Sequence, residues 1–468
     1  MAEPGVLVAR RARAWIGLSF GAALIMMVAA MPDAPARQAS GERRPNVLLI
    51  VTDDQRDGTV DAMPTTAAFF GAKGRSFTNA FATSPMCCPS RASIMTGRYP
   101  HNHEVRRNAD GDLLDQKTTL QYYLRQAGYQ TAMAGKYLNG WDETRQDPPH
   151  FDRWAAIDDE DYASVYVDFI ANVNGTLRLP RGYSTDYIGR KATSFLETFE
   201  ERDRQPWFMY LAPFAPHKPF VTAPKYRSAD TPEWHGSPAV SEDDRSDKPE
   251  WVQKHAVPLA RAQEISTEQY RLLMSVDDMV ARVADALDRL DEARDTIAIF
   301  MSDNGYMWGE HGLVQKRFPY TKAAKIPLLV RWPGHIEENT TDGRLAANID
   351  IAPTIMAAAG IEPDPAAPVD GRSLLSETTR DRVLMEFFGA PGKSPPPWAG
   401  IRSESYQYVE YYDKESGEVV AREYYDLTND PWQLVNLYGD GDPLNDPALT
   451  VHQADLALIR ECRGSSCP

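Results

Sequence analysis

The chain has 468 residues, 43% of them apolar and 25% charged, values ordinary for a folded globular protein and long enough to bury a sizeable core. Its formal net charge of −16, from 50 basic and 66 acidic side chains, argues against a nucleic-acid binder and against a protein drawn to anionic membranes. At the N-terminus, Arg10-Arg11-Ala12-Arg13 precedes an apolar stretch from Ala14 to Met31 and then Ala34-Pro35-Ala36, which reads as an export signal over residues 1–36. The alternatives are a single membrane anchor, for which the apolar run is short, and a weakly signalled twin-arginine route. No stable membrane insertion is expected of the mature chain, whose place is secreted, periplasmic or extracellular. A polar linker follows over 37–44.

From residue 45 the chain alternates short apolar strands with amphipathic helices, an α/β pattern with a large central mixed sheet flanked by helices. Asn46 to Thr52 is a β-branched apolar run of the kind buried on both faces, and it ends in Asp53-Asp54. Next comes Cys87-Cys88-Pro89-Ser90-Arg91-Ala92-Ser93-Ile94-Met95-Thr96-Gly97. Pro89 suits a first helical turn and Gly97 the C′ end, which puts Cys87 just before a helix N-terminus, where free N–H groups and the dipole favour an anion. A structural or redox thiol pair is the bland alternative, but vicinal cysteines make a poor disulfide. Residues 118–125 read as an amphipathic helix closed by Gly128, and a strand from Tyr129 to Met133 leads to Lys136. Trp207 to Leu211 is a further strand, with His217 in the loop beyond it between Pro216 and Pro219.

The polar segment 222–256, holding Trp234 and Trp251, reads as a surface excursion, followed by a long helix from about Thr267 to Leu290. Thr296 to Ser302 repeats the buried-strand pattern and ends in Asp303-Asn304-Gly305. Ligands of open α/β sheets collect at the carboxyl ends of the strands, so the two acidic tips can converge. Their oxygen donors suit calcium, with magnesium possible, better than zinc or copper. Residues 389–397 form a Pro-rich loop, and Tyr406 to Tyr412 with Val419 to Tyr425 flank a turn, a hairpin within a small C-terminal α+β subdomain over 389–468. Cys462 and Cys467 can close a small disulfide loop, leaving Cys88 unpaired and buried. Asn174-Gly175-Thr176 and Asn339-Thr340-Thr341 fit glycosylation acceptors.

The spacing C-x-P-S-R-x4-T-G from Cys87 resembles the motif by which type I sulfatases of the alkaline phosphatase superfamily mark a cysteine for oxidation to Cα-formylglycine. With Pro45 to Gln55, Tyr99-Pro100-His101-Asn102-His103, Ala134 to Asn139, Ala215 to Pro219 and Pro327 to Arg331, the chain is most similar to N-acetylglucosamine-6-sulfatases and extracellular heparan endosulfatases. The resemblance implies an alkaline phosphatase-like catalytic domain over 45–388 and a formylglycine-generating enzyme as maturation partner. It implies a sulfated carbohydrate or aryl sulfate as substrate. By the same resemblance, Asp53, Asp54, Asp303 and Asn304, with residue 87, hold the divalent cation, a hydrated formylglycine at 87 attacks sulfur, and Arg91 orients it. Lys136 and Lys316 contact the sulfate, and His217 protonates the leaving alcohol. Lys322 and Lys325 lie near Lys316, and only spacing and resemblance select among the three. Where many sulfatases carry a histidine after the strand-end lysine, this chain has Leu138 and then Asn139. His101, His103, His311 and Asn139 are therefore candidate substrate contacts, with helix-end structural roles open for the first two. Two other readings remain: a phosphate or phosphonate ester hydrolase, and a catalytically silent secreted binder of sulfated glycans.

Overall fold

Alternate residues of Asn46–Thr52 enter two different apolar layers: Leu48 and Ile50 on one side, Val47, Leu49 and Val51 on the other, all but fully buried. That two-sided burial is what a continuous β-branched run encodes. The computed structural model describes residues 44–161, 163–201, 205–390, 392 and 395–468. The expected export signal and the linker up to residue 43 lie outside them.

In chain order the large sheet comprises β1 (Asn46–Thr52), β2 (Arg75–Phe77), β3 (Gln130–Gly135), β4 (Arg153–Ile157), β5 (Ala171–Val173), β6 (Thr176–Arg178), β7 (Trp207–Ala212), β8 (Thr296–Ser302), β9 (Leu328–Arg331) and β10 (Thr340–Asp342). They lie side by side as β10-β2-β9-β8-β1-β7-β3-β4-β5-β6. The central run β8-β1-β7-β3-β4 is parallel, and β9 and β5 pair antiparallel at its margins. The sheet is therefore mixed, as expected.

Helices α1 (Cys87–Thr96), α2 (Leu120–Gln126) and α5 (Ile351–Ala359) cover one face, with Ile94, Leu120, Leu124 and Ile355 packed on Val47 and Leu49 of β1. The other face is covered by α3 (Ser184–Glu200) and α4 (Leu259–Arg289), through Ile188, Leu196, Leu272 and Val276. The long helix starts earlier than its apolar period indicates, because Pro258, with extended backbone, sets up the first turn ahead of Thr267. Segment 222–256 carries only short helical pieces, Pro224–Tyr226 and Glu250–Gln253.

A second, antiparallel sheet runs in sequence order: β11 (Arg382–Phe387), β12 (Trp398–Ser403), β13 (Tyr406–Tyr412) and β14 (Val419–Asp426). The expected hairpin is its last pair, in register from Tyr406↔Asp426. Its first strand precedes residue 389, so the boundary expected there cuts the sheet. Helix α6 (Leu449–Ile459) and the Cys462–Cys467 disulfide share an apolar cluster with Val383, Ile401 and Val409. Among the described residues, no helix is long and apolar enough to cross a membrane.

Candidate active site

The parallel register Thr52↔Ser302 brings both acidic tips off the sheet at one level. The Asp303 N–H donates to the Thr52 carbonyl at 3.1 Å, and the Asp54 N–H to Asp303 Oδ1 at 3.2 Å. Asp54 takes a left-handed conformation (φ 66°), which a short polar side chain tolerates and which turns the chain sharply after Asp53. On the other flank Gly135↔Ala212 is the last pair, and the Lys136 N–H donates to the Ala212 carbonyl at 2.9 Å. A Cβ on Gly135 (φ +107°) would lie 2.1 Å from that carbonyl, so only glycine delivers Lys136 here.

Helix α1 points its N-terminus at these tips. Cys87 is its first residue rather than the one before it; extended Met86 caps the helix, accepting from the Ser90 N–H at 3.0 Å. Pro89, inside the first turn, removes an N–H that would have no helical partner. Gly97 (φ 68°) ends the helix as expected, and all ten helical residues are buried. The Cys87 thiol donates to Asp53 Oδ1 at 3.3 Å, and Lys316 Nζ approaches its sulfur to 2.7 Å.

The remaining expected site residues converge on this point. Lys136 Nζ contacts Asp53 Oδ2 at 2.6 Å. Lys316 Nζ bonds Asp54 and lies 3.8 Å from Asp53, whereas Lys322 and Lys325 both turn to Asp57. Arg91 donates Nε to Asp303 Oδ2 at 2.9 Å and Nη1 to the Tyr210 hydroxyl at 2.9 Å. His217 Nε2 stands 3.7 Å from Asp54 Oδ2. Tyr210 was not anticipated; its signal was a tyrosine inside a buried strand, whose hydroxyl must find a partner. Gln269 was likewise missed: its amide donates to the Asp54 and Pro216 carbonyls, tying the two loops together.

Burial alone would raise the Asp53 carboxyl, but Lys136, His217, Lys316 and Arg91 hold it well below its usual range. Asp303 is pushed up to about 6 by burial and by Asp53. Burial, then Asp53, pushes the Cys87 thiol well above its usual range, and burial draws His217 down to about 4. Three carboxylates thus face Lys136, Lys316 and Arg91, a balance to which a divalent cation would add the excess positive charge an oxyanion needs.

The residues present fit such a cation. Asp53, Asp54, Cys87 and His217 offer ligand atoms within 4.8 Å of one another. Asn304 donates its amide N–H to Asp54 Oδ1 at 2.6 Å and leaves a buried Oδ1 with no hydrogen-bond partner among the described residues. Hard oxygens dominate the set, as calcium or magnesium prefers.

Each of the four candidate substrate contacts has a partner outside the cluster. His103 takes the structural role left open for it: its Nε2 meets Ser93 Oγ at 3.0 Å and its Nδ1 accepts the Val105 N–H at 3.1 Å. His101 is likewise spent on Glu386 (2.8 Å) and the Cys462 carbonyl (3.0 Å). His311 pairs with Glu242 at 2.7 Å and packs on Tyr320, and Asn139 donates to Asp159 at 2.7 Å.

With this geometry in view, comparison with known proteins is decisive. The Sulfatase family model matches residues 45–361, and a model described as N-sulphoglucosamine sulphohydrolase, C-terminal, matches 309–450. The chain belongs to the sulfatase family. It is a sulfuric ester hydrolase. It is 32% identical over 492 residues to human N-acetylglucosamine-6-sulfatase, covering 92% of this chain and 87% of that protein. It is 34% identical over 357 residues to a putative extracellular sulfatase Sulf-1 homolog of Caenorhabditis elegans, covering 70% and 48%. A protein solved in complex with its substrate D-glucosamine-2-N,6-O-disulfate superposes with a TM-score of 0.76 over 88% of this chain and 96% of that one; at 23% identity the likeness is one of fold. The alkaline phosphatase-like architecture expected from the sequence is thereby established for this sulfatase.

Proposed function

We propose that this sulfatase is an exported, calcium-dependent enzyme that removes 6-O-sulfate from N-acetylglucosamine units, using a formylglycine formed from Cys87. The observation that carries the reading is the place of Cys87: first residue of a buried helix, 3.3 Å from Asp53 and 2.7 Å from Lys316. Oxidised to the aldehyde and hydrated, residue 87 supplies two hydroxyls, one to attack sulfur and one to expel sulfate as the aldehyde re-forms. Asp53, Asp54, Asp303 and Asn304, with residue 87, would hold calcium or magnesium, which polarises the sulfate oxygens when bound. Arg91, fixed by Asp303 and Tyr210, holds the nucleophile's surroundings in place. Lys136 and Lys316 neutralise charge on the sulfuryl group, and His217, which burial keeps neutral, must first take up a proton at Nε2 before passing it to the departing alcohol. Export is supported by the N-terminal pattern of charged, apolar and small residues. The choice of sugar rests on the human relative's name and on the local runs around Tyr99 and Lys136.

The test compares 6-sulfated N-acetylglucosamine with an aryl sulfate in wild type and His217→Ala. An aryl leaving group needs little protonation, so the variant is expected to lose far more kcat/KM on the sugar. Equal losses would overturn the role of His217, and no turnover of the sugar by wild type would overturn the substrate.

A further inference from the structure

Outside the catalytic cluster, a cavity of about 260 Å3 opens where the loop carrying His311 meets the second sheet. Its wall is rich in donors and poor in acceptors. Arg402, on β12, is more than nine-tenths buried, yet no carboxylate pairs with it among the described residues. Its Nη1 donates to Thr321 Oγ1 (2.7 Å) and Gln407 Oε1 (3.1 Å), its plane lies over Phe81, and its Nε has no partner. Gln433, 1% exposed on the same wall, accepts from the Thr321 N–H through Oε1 and leaves its buried Nε2 unpartnered. Lys322 and Lys325 line the cavity too and share a single carboxylate, Asp57, at 3.7 and 3.4 Å. The acid of the wall, Glu310, is already committed to Arg56 at 2.6 Å and to the Trp308 N–H at 2.7 Å.

A buried, uncompensated guanidinium is costly, and a structure keeps one where a counter-charge arrives from outside. Burial draws Arg402 down to about 9 with no opposing carboxylate, the signature of a cation short of its anion. We propose that this cavity is a second binding site, separate from the catalytic cluster, for an oxyanion held by Arg402, Lys322 and Gln433. Arg402 offers the Nε edge of its fork and Gln433 its free amide N–H, while Lys322 contributes a point charge. Trp432, 37% exposed on the rim, gives a flat apolar surface on which a sugar ring carrying that oxyanion can lie. The oxyanion has two possible sources: inorganic sulfate released by the enzyme, and a sulfate or carboxylate on a sugar.

The experiment is anomalous diffraction and titration calorimetry of the full-length enzyme with selenate as probe, on wild type, Arg402→Met and Lys322→Ala. Wild type is expected to hold selenate both at the catalytic cluster and at Arg402. Arg402→Met loses only the latter, Lys322→Ala weakens it by at least about tenfold, and the catalytic selenate, retained in both, reports intact folding. Arg402→Met also raises Tm, because an uncompensated buried charge is removed. A merely structural Arg402 would do the reverse, since its bonds to Thr321 and Gln407 would be lost. A second titration series with methyl glucuronate and N-sulfated glucosamine separates the sources: tighter binding than selenate that falls in Trp432→Ala assigns the site to an acidic sugar, and binding no tighter assigns it to free sulfate. Selenate confined to the catalytic cluster in wild type, or a Tm lowered by Arg402→Met with unchanged stoichiometry, would overturn the proposal.

Discussion

Two adjacent cysteines have opposite futures at the N-terminus of α1. Cys87 faces Asp53 and Lys316, whereas the Cys88 thiol points away and donates to the Asn139 carbonyl at 3.2 Å. Cys87→Ala is therefore expected to abolish turnover while leaving the fold intact, and Cys87→Ser to stall, because serine lacks a second hydroxyl. Cys88→Ser keeps its hydrogen bond to Asn139 and is expected to cost less than about 1 kcal/mol with activity retained. Mass spectrometry of the peptide ending at Arg91 checks the chemistry: an active preparation with an unmodified thiol at Cys87 contradicts it, and oxidation at Cys88 shifts it by one residue. His101 makes a pH-dependent prediction of its own. Burial disfavours its charged form, but the Glu386 hydrogen bond and charge outweigh burial and raise its pKa. Folding thus favours the protonated ring, and the stabilisation is fully present below the unfolded value near about 6.5 and is lost as pH rises through the higher folded value. The Tm gap between wild type and His101→Gln should be wider at about pH 5 than at about pH 9; a gap independent of pH would show that the pair carries no net charge coupling.

At the scale of elements, what was legible in the sequence was whatever local period and punctuation specify. The runs 46–52, 296–302 and 207–211 announced themselves as buried strands, and the parallel register found in the fold places Asp53, Asp303 and the loop of His217 together. Lys316 was different. It follows two-residue strands and a left-handed His311, so no periodicity indicated its direction; spacing and resemblance alone selected it, and in the fold it meets Asp54 while Lys322 and Lys325 meet Asp57. The histidines could not be decided from sequence, because a ring's availability depends on partners remote in sequence, Glu386 for His101 and Glu242 for His311. Gly97 shows the converse, a position whose role was readable from residue type and local spacing. Its φ of 68° strains any other residue, and Pro353, Val369 and Ala352, 3.0–3.3 Å from a would-be Cβ, would have to yield by a few tenths of an ångström. Gly97→Ala should cost at least about 1–2 kcal/mol in denaturant unfolding. Because α1 carries Cys87, the strain should also lower kcat. A variant as stable and active as wild type would mean that the helix end tolerates the methyl by moving.

On the scale of the whole molecule, a chain of net charge −16 processes anionic esters, so attraction must be local. The large sheet supplies the locality by collecting Lys136, Lys316 and Arg91 around the carboxylates of Asp53, Asp54 and Asp303, all buried, at the carboxyl ends of its central strands. A bound divalent cation would then be both a catalytic and a structural element, since the ligands proposed for it follow β1 and β8 and begin α1, segments far apart in sequence. Ligands that bind only the folded state stabilise it by mass action, by about 2.7 kcal/mol when free ligand stands at a hundred times Kd. Exhaustive chelation should therefore lower Tm and abolish sulfate release together, and titrating calcium back should restore both over one concentration range. Magnesium should restore them less completely, for its rigid octahedral preference fits a many-oxygen site less well, and zinc least, because, with Asp303 and Asn304 counted, oxygen donors outnumber the sulfur and nitrogen ones. Thermal melts and turnover measured across the same titration decide the matter. Recovery of activity without recovery of Tm would place the ion on the substrate rather than in the protein, and full activity in protein shown to be free of divalent metal would remove it from the reaction altogether.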